Sequence, residues 1–321
     1  MTLFNGIYPF YPQQRKISFF DVDLMIVIIV FLTFACSFLL ILPGIRGRAR
    51  LFWFVRVITS LFIGTVIVAV NFTSDWEVGY VSTNTTYKSF SNAVVNADIG
   101  LRVGLAGVNI TLTGNPVHQI NETIDYNEQF IWSFGTDYDE EYHEGLQKGL
   151  PNPILYIAEK FTQSSPCGLH IQYRISGHYA SATMWVAFCT WLISNVLFSM
   201  PMFVYGAYMI LVTAAFMIFS LVSFSTVKNS PMCAIQFGTT ALHTVFGGSF
   251  WLTLATGLLC VLIGVLVIMM DIIMPEKLKA FFNLDEEEEE EIVVEEYINP
   301  HFLKTDAFSP PPHFTLTIKN I

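Results

Sequence analysis

The chain has 321 residues, 53% of them hydrophobic and only 13% charged, whereas a soluble domain carries roughly 25% charged residues, so an ordinary soluble globular protein is excluded. The formal net charge of −10 has a single source: Asp285 to Glu291, with Glu295 and Glu296, supplies nine carboxylates, and the remainder is close to neutral. A basic nucleic-acid footprint is absent, and nucleic acid is not an expected partner.

Residues 1–23 are mostly polar, with Arg15 and Lys16 set against Asp21 and Asp23. Phe4, Tyr8, Phe10 and Tyr11 in this segment read as aromatic anchors at a membrane interface. A polar stretch of about twenty residues before the first apolar run is not a cleavable signal peptide. The first run is expected to act as its own reversed anchor. That run, Leu24–Leu42, has no charge and closes at Pro43-Gly44; about twenty apolar residues cross a bilayer. Leu51–Phe72 is the second span, interrupted by Arg56 near its start, where an arginine can snorkel to lipid phosphates. Between the two spans, residues 43–50 carry Arg46, Arg48 and Arg50, and short basic loops stay cytosolic.

The next segment, 73–179, is too long and too patterned for a connector. It holds the sequons Asn84-Thr-Thr, Asn109-Ile-Thr and Asn121-Glu-Thr, which require an exoplasmic location if they are used. Asn71-Phe-Thr lies too near the membrane to be modified. In "ADIGLRVGLAGVNITLTG", Ile99, Leu101, Val103 and Leu105 alternate with polar or small residues, as do Val108, Ile110 and Leu112. Period two in two runs predicts a hairpin with one buried face and Asn109 on the other. Tyr138–Gly149 predicts a polar helix ending at glycine, and Pro153 opens a second short helix at the position proline tolerates best. The segment is therefore expected to be a small α+β extracellular domain containing a β-hairpin. It is claudin-like in architecture only, since the claudin Trp and paired-Cys signature is missing.

Ala180–Phe203, Tyr205–Val227 and Phe246–Met270 are the remaining spans. The first two are joined by a tight hairpin at Pro201, and an outer loop, 228–245, precedes the last. Five spans put the termini on opposite sides: N-terminus outside, C-terminus inside, with residues 180–270 forming helices three to five. Asn195 is expected to bond across helices. Residues 271–321 read as a solvated acidic cytosolic tail, with a docking motif as the rival reading. The fold class is a mainly α membrane protein of five transmembrane helices.

No Gly-rich phosphate loop, His-Glu-x-x-His or Cys-x-x-Cys pattern occurs, so no catalytic, cofactor or metal residues are expected. His170 and His178, flanking Tyr173 and Arg174, read as interfacial polar residues, with a metal or proton role as the rival. Cys36, Cys189 and Cys260 fall in spans, where a thiol behaves as a small apolar group. Cys167 and Cys233 lie outside the lipid on the same, oxidising side, where disulfides belong. A bridge between them is one reading, and a bond from either to a partner chain is the other.

These segments resemble the dual oxidase maturation factors. The likeness rests on "NGIYPFYP", "ILPGIRGRARLFW", "SLFIG", "VNITLTG", "NETIDYNEQF", "KGLPNPILYIAEKFT", "SPCGL", "GHYASATMWVAF" and "TLATGLLC", spread over about residues 1–283. "MTLFNGIYPFYPQ" is similar to the type-2 branch, and "KLKAFFN" is more like type 1. The resemblance implies a non-enzymatic accessory subunit that pairs with a dual oxidase, an NADPH oxidase. It would promote that enzyme's folding, its exit from the endoplasmic reticulum, its delivery to the apical plasma membrane and its hydrogen peroxide production. Haem, FAD and NADPH would sit on the oxidase, and the chain itself would hold no cofactor. The resemblance also implies a Cys167–Cys233 disulfide, glycans on Asn84, Asn109 and Asn121, and an oxidase-proximal role for Phe4, Tyr8, Phe10 and Tyr11. The alternative from another class is a claudin-like adhesion protein; a transporter is a third.

Overall fold

The computed structural model describes residues 22–42, 49–88, 93–120, 122–132, 135, 137–166, 168–200, 202–229, 235–238 and 240–273. Five helices are long and apolar enough to cross a membrane: α1 (Val22–Ile41), α2 (Ala49–Phe72), α5 (Leu169–Ser199), α6 (Phe203–Ser225) and α7 (Gly248–Ile273). Their outward faces expose side chains such as Leu40, Phe62, Trp251 and Ile272. Apolar surface of that extent is stable only against lipid, so the chain is a multi-pass membrane protein.

Between α2 and α5 the chain forms β1 (Glu77–Thr86), β2 (Val94–Val103), β3 (Gly107–Gln119) and β4 (Glu122–Ile131), followed by α3 (Tyr138–Lys148) and α4 (Asn152–Lys160). The four strands are an antiparallel meander. The β2–β3 hairpin pairs Val103 with Val108 and Ile99 with Leu112. Every apolar position of its alternating pattern is buried, from Ile99 to Leu112, because a period of two sends that whole set to one face. The α3 helix is capped at its start by the Asp137 side chain, which accepts from Asp139 N at 3.2 Å. It ends at Gly149 with φ 71°, the left-handed conformation that glycine adopts without strain. Proline at the start of α4 donates nothing, and no bond is lost there.

Two features depart from the sequence expectations. The segment after α6 is more than a loop: it contributes a two-stranded hairpin, β5 (Ile235–Phe237) and β6 (Thr240–Leu242), and then β7 (Thr244–Phe246). The last of these pairs antiparallel with β1 and completes a five-stranded sheet of order β4-β3-β2-β1-β7. The third long helix also starts at Leu169, eleven residues before its apolar run. Its 31 residues measure about 46 Å at 1.5 Å per residue, against a hydrocarbon layer of about 30 Å. The first turns of α5 therefore stand clear of the lipid and enter the core of the sheet domain. The α5 helix ends at Ser199 and α6 starts at Phe203, so the hairpin turn lies between them.

Where α5 meets the sheet, the approach is close. A Cβ on Gly177 would lie 2.6 Å from the Leu105 carbonyl oxygen in the β2–β3 turn. Gly177→Ala is expected to lower stability by about 1–3 kcal/mol through this overlap. Gly248→Ala, where an added Cβ meets nothing within 4 Å, should leave it unchanged. Thermal unfolding of the two variants in detergent measures the difference, and equal midpoints would contradict the contact.

Candidate functional site

The sheet is joined to the helices through two consecutive residues in the corner between α2 and β1, Trp76 and Glu77. Trp76 is fully buried. Its Nε1 donates to the Val70 carbonyl at 2.9 Å, its backbone N–H donates to Val103 O at 3.1 Å, and its carbonyl accepts from Gly247 N at 2.9 Å. One residue thereby fastens α2, the sheet and the start of α7. Its ring packs 5.1 Å from Phe224 of α6 and 6.5 Å from Phe250 of α7.

Glu77 follows and is 1% exposed. Its Oε2 accepts from the Tyr173 hydroxyl at 2.8 Å. Its Oε1 faces Lys228 Nζ at 3.5 Å, an ion-pair separation rather than a hydrogen bond. Lys228 sits in a short 3-10 turn, Thr226–Asn229, after α6. It also donates to the Thr244 carbonyl at 3.4 Å and lies 3.9 Å from the centroid of the Phe246 ring. An isolated carboxylate in such a place would cost several kcal/mol; the phenol and the ammonium make it tenable.

Above this node the domain core is aromatic. Trp132 packs against Tyr138, Phe161 and Tyr173 with centroids 6.0–6.4 Å apart. Its Nε1 donates to the Leu105 carbonyl at 3.1 Å. Tyr138 donates to the Ala158 carbonyl at 3.0 Å and ties α3 to α4. Burial, with the carboxylates of Glu141 and Asp139 next in effect, pushes the Tyr138 phenol well above its ordinary pKa. Burial and the 2.9 Å bond to the Tyr126 hydroxyl do the same for Tyr87. Both stay neutral at any physiological pH.

Within the bundle, polar side chains fasten helix to helix. Ser60 of α2 donates to Asn195 Oδ1 of α5, and Ser181 of α5 donates to Asn71 Oδ1 of α2 at 3.0 Å. Thr190 and Thr213 join α5 to α6 at 2.9 Å. Among the described residues no group of His, Cys, Asp or Glu converges as metal ligands would. Cys36, Cys189 and Cys260 are free thiols.

The structure places three of the sequence-derived site residues. Asn84 is exposed on β1, and Asn109 is half-buried on β3. By register both lie on the face of the sheet away from its core: Asn84 pairs with Asn96, and Asn109 pairs with Arg102 and Gln129. Asn71 is buried, and its Nδ2, the atom a glycan would join, donates to the Ile67 carbonyl at 3.0 Å. Arg50 is exposed in the first turn of α2. Further along α2, Arg56 stacks over Trp53 at 4.9 Å and faces Phe198 at 6.0 Å. Cys167, Cys233, Asn121, Arg46, Arg48, Phe4, Tyr8, Phe10, Tyr11 and the acidic tail lie outside the described residues. Sequence reasoning missed Trp76, Glu77 and Lys228. The available signal was an acid and a base close to the ends of apolar spans: Glu77 comes five residues after Phe72, and Lys228 directly follows Val227.

A family model described as dual oxidase maturation factor matches residues 10–286. The chain is 56% identical over 283 residues to dual oxidase maturation factor 2 of Homo sapiens, covering 88% of each. It is 54% identical over 290 residues to dual oxidase maturation factor 1 of Homo sapiens, covering 90% of this chain and 84% of that one. A Caenorhabditis elegans protein named dual oxidase maturation factor 1 is 32% identical over 271 residues, covering 79% of this chain and 66% of that protein.

The Glu77–Lys228 pair makes a specific demand. Lys228→Met strands a buried carboxylate and should destabilise by about 2–3 kcal/mol, below the full buried-pair cost because the lysine is partly exposed. Adding Glu77→Gln should recover most of that loss. A double-mutant cycle on unfolding midpoints checks this, and additive effects would refute the coupling.

Proposed function

We propose, because the chain belongs to the dual oxidase maturation factor family, that it is a non-catalytic accessory subunit and maturation factor of a dual oxidase. The observation that carries this reading is the match over residues 10–286; the family is one of maturation partners rather than of catalysts. On this reading the chain promotes the oxidase's exit from the endoplasmic reticulum, travels with it to the plasma membrane and supports hydrogen peroxide production. Haem, FAD and NADPH belong to the oxidase. The fold supports the role in a general way: it offers a sheet domain and broad apolar helix faces, which are surfaces for a partner.

The orientation we adopt puts the sheet domain and the N-terminus outside and the C-terminus in the cytosol. Its support is the arginine-rich segment between α1 and α2, set against sequons that all lie on the sheet side. Cys167 and Cys233 form a disulfide within that domain. Phe4, Tyr8, Phe10 and Tyr11 lie against the oxidase.

A dual oxidase expressed alone should remain in the endoplasmic reticulum, and co-expression of this chain should restore surface peroxide release. Equal surface delivery without the chain would refute the proposal, as would homophilic capture between cells with no oxidase recovered. Serine at Cys167 or at Cys233 should weaken association to the same degree, with the double variant no worse than either single. Unequal singles would point to a bond with the partner. Asn84→Gln and Asn109→Gln should each remove one glycosidase-sensitive mobility step, whereas Asn71→Gln, whose amide is already committed, should remove none.

A further inference from the structure

The second residue of α5 is a histidine over which the sheet domain has closed. His170 follows the N-cap Gly168 by two positions, in the turns of α5 that stand clear of the lipid, and it is 2% exposed. Its ring packs on Tyr138 of α3 with centroids 5.6 Å apart, so it forms part of the contact between α3 and α5. Neither ring nitrogen has a hydrogen-bond partner. A neutral imidazole carries one donor and one acceptor, and leaving both unpaired in a core is costly. An apolar side chain would fill the place without that cost. What a histidine adds is the capacity to take up a proton near neutral pH.

The surroundings oppose that proton. The ring sits at the positive end of α5, where the first N–H groups of a helix have no intrahelical acceptor. Arg174 and His178 follow one and two turns along the same helix. Across the contact, Asp137 and Asp139 at the start of α3 pull the other way, but both carboxylates are already engaged. Asp139 Oδ1 accepts from Gln163 N at 3.1 Å. Asp137 Oδ1 accepts from Asp139 N at 3.2 Å and from Gln163 Nε2 at 3.4 Å. Glu141 of α3 accepts from Ile131 N at 2.6 Å, and Glu77, behind Tyr173, is matched by Lys228. His170 takes part in none of the ion pairs among the described residues. Burial first, and Arg174 next, hold its ring below the ordinary histidine pKa.

We propose that His170 is an acid-operated latch between α3 and α5. Neutral, the ring stays buried on Tyr138 and the junction is closed. A proton taken from solvent onto the free ring nitrogen makes an imidazolium that has no acceptor there. The start of α3 and the first turns of α5 then part to let water reach it. The closed junction binds that proton less readily than the open one. Its stability is therefore complete above the ordinary histidine value, about pH 6.5, and falls as the pH drops below it. One proton changes the ratio of closed to open forms by at most about tenfold per pH unit. The latch is shut at neutral pH and released at about pH 5–6, where histidine switches act.

Hydrogen exchange of the full-length chain in mild detergent tests this, read by mass spectrometry and corrected for the intrinsic pH dependence of exchange. Between about pH 7.5 and 5.5, protection over residues 138–148 and 169–176 should fall about tenfold, with its onset near pH 6.5. Protection over α6 should not change. His170→Gln and His170→Phe, neutral at every pH, should each hold the same protection at both values. Arg174→Gln, which removes a repelling charge, should shrink the loss, and His178→Gln should leave it as in wild type. If neither His170 variant folds, the wild-type profile decides. A loss that starts only below about pH 5, in the carboxylate range, would assign the effect to Asp137 and Asp139 and overturn the proposal. An unchanged wild-type profile would overturn it too, as would a loss shared equally by α6 or a wild-type response in either His170 variant. A response abolished by His178→Gln would move the latch to that residue, and the proposal fails.

Discussion

A chain that leaves a membrane helix and must immediately enter a sheet has almost no room to satisfy its backbone, and here two residues solve that problem. Trp76 fills the corner and donates its indole N–H back to α2, while its own backbone groups bond to β2 and to the start of α7. Glu77 then begins β1 and is paired on one side with Val103 and on the other with Phe246. The register of a strand with one buried face cannot slip by one residue without reversing every side chain. Fixing Glu77 beside Tyr173 and Lys228 therefore fixes the register of three strands and the height of α5 together. A buried ion pair contributes little net stability compared with apolar packing; its effect here is positional.

The helices below are held by a different balance. Lipid offers no hydrophobic drive for one apolar helix to prefer another, so packing and interhelical hydrogen bonds decide the arrangement. Small residues allow close approach, as where a Cβ on Gly64 would strike the Trp191 ring. Hydroxyl and amide groups then supply direction: Ser60 to Asn195, Ser181 to Asn71, and Thr190 to Thr213. Among the described residues the α1 helix has none of these ties to the rest, and it packs along α2 with most of its surface exposed.

What the sequence revealed tracks which signals are local. The five spans follow from uninterrupted apolar length. The β2–β3 hairpin follows from alternation, and α3 and α4 from a glycine stop and a proline start. The β1 segment "EVGYVSTNTT" is rich in threonine and serine, and its burial pattern is too shallow to read as alternation. The β7 strand is three residues long and runs directly into the last apolar stretch, which masks it. Hydropathy also reports contact with lipid and not the extent of hydrogen bonding, so it placed the start of the third span at Ala180 while the helix itself begins at Leu169. The Glu77–Lys228 pair joins residues 151 positions apart, and no periodicity encodes that.

The same geometry bears on how the sheet domain can act on anything it touches. An aromatic path runs without a break from Trp132 to Tyr173, from Tyr173 to Phe224, from Phe224 to Trp76 and from Trp76 to Phe250, with successive centroids 5.1–6.5 Å apart. The first ring belongs to the domain, the last to a membrane helix, and no solvent layer separates them. Close-packed interiors shift as units rather than deform continuously. Domain and bundle therefore share one core: a load on the sheet is carried into α5, α6 and α7, and a change in helix packing is felt at the sheet.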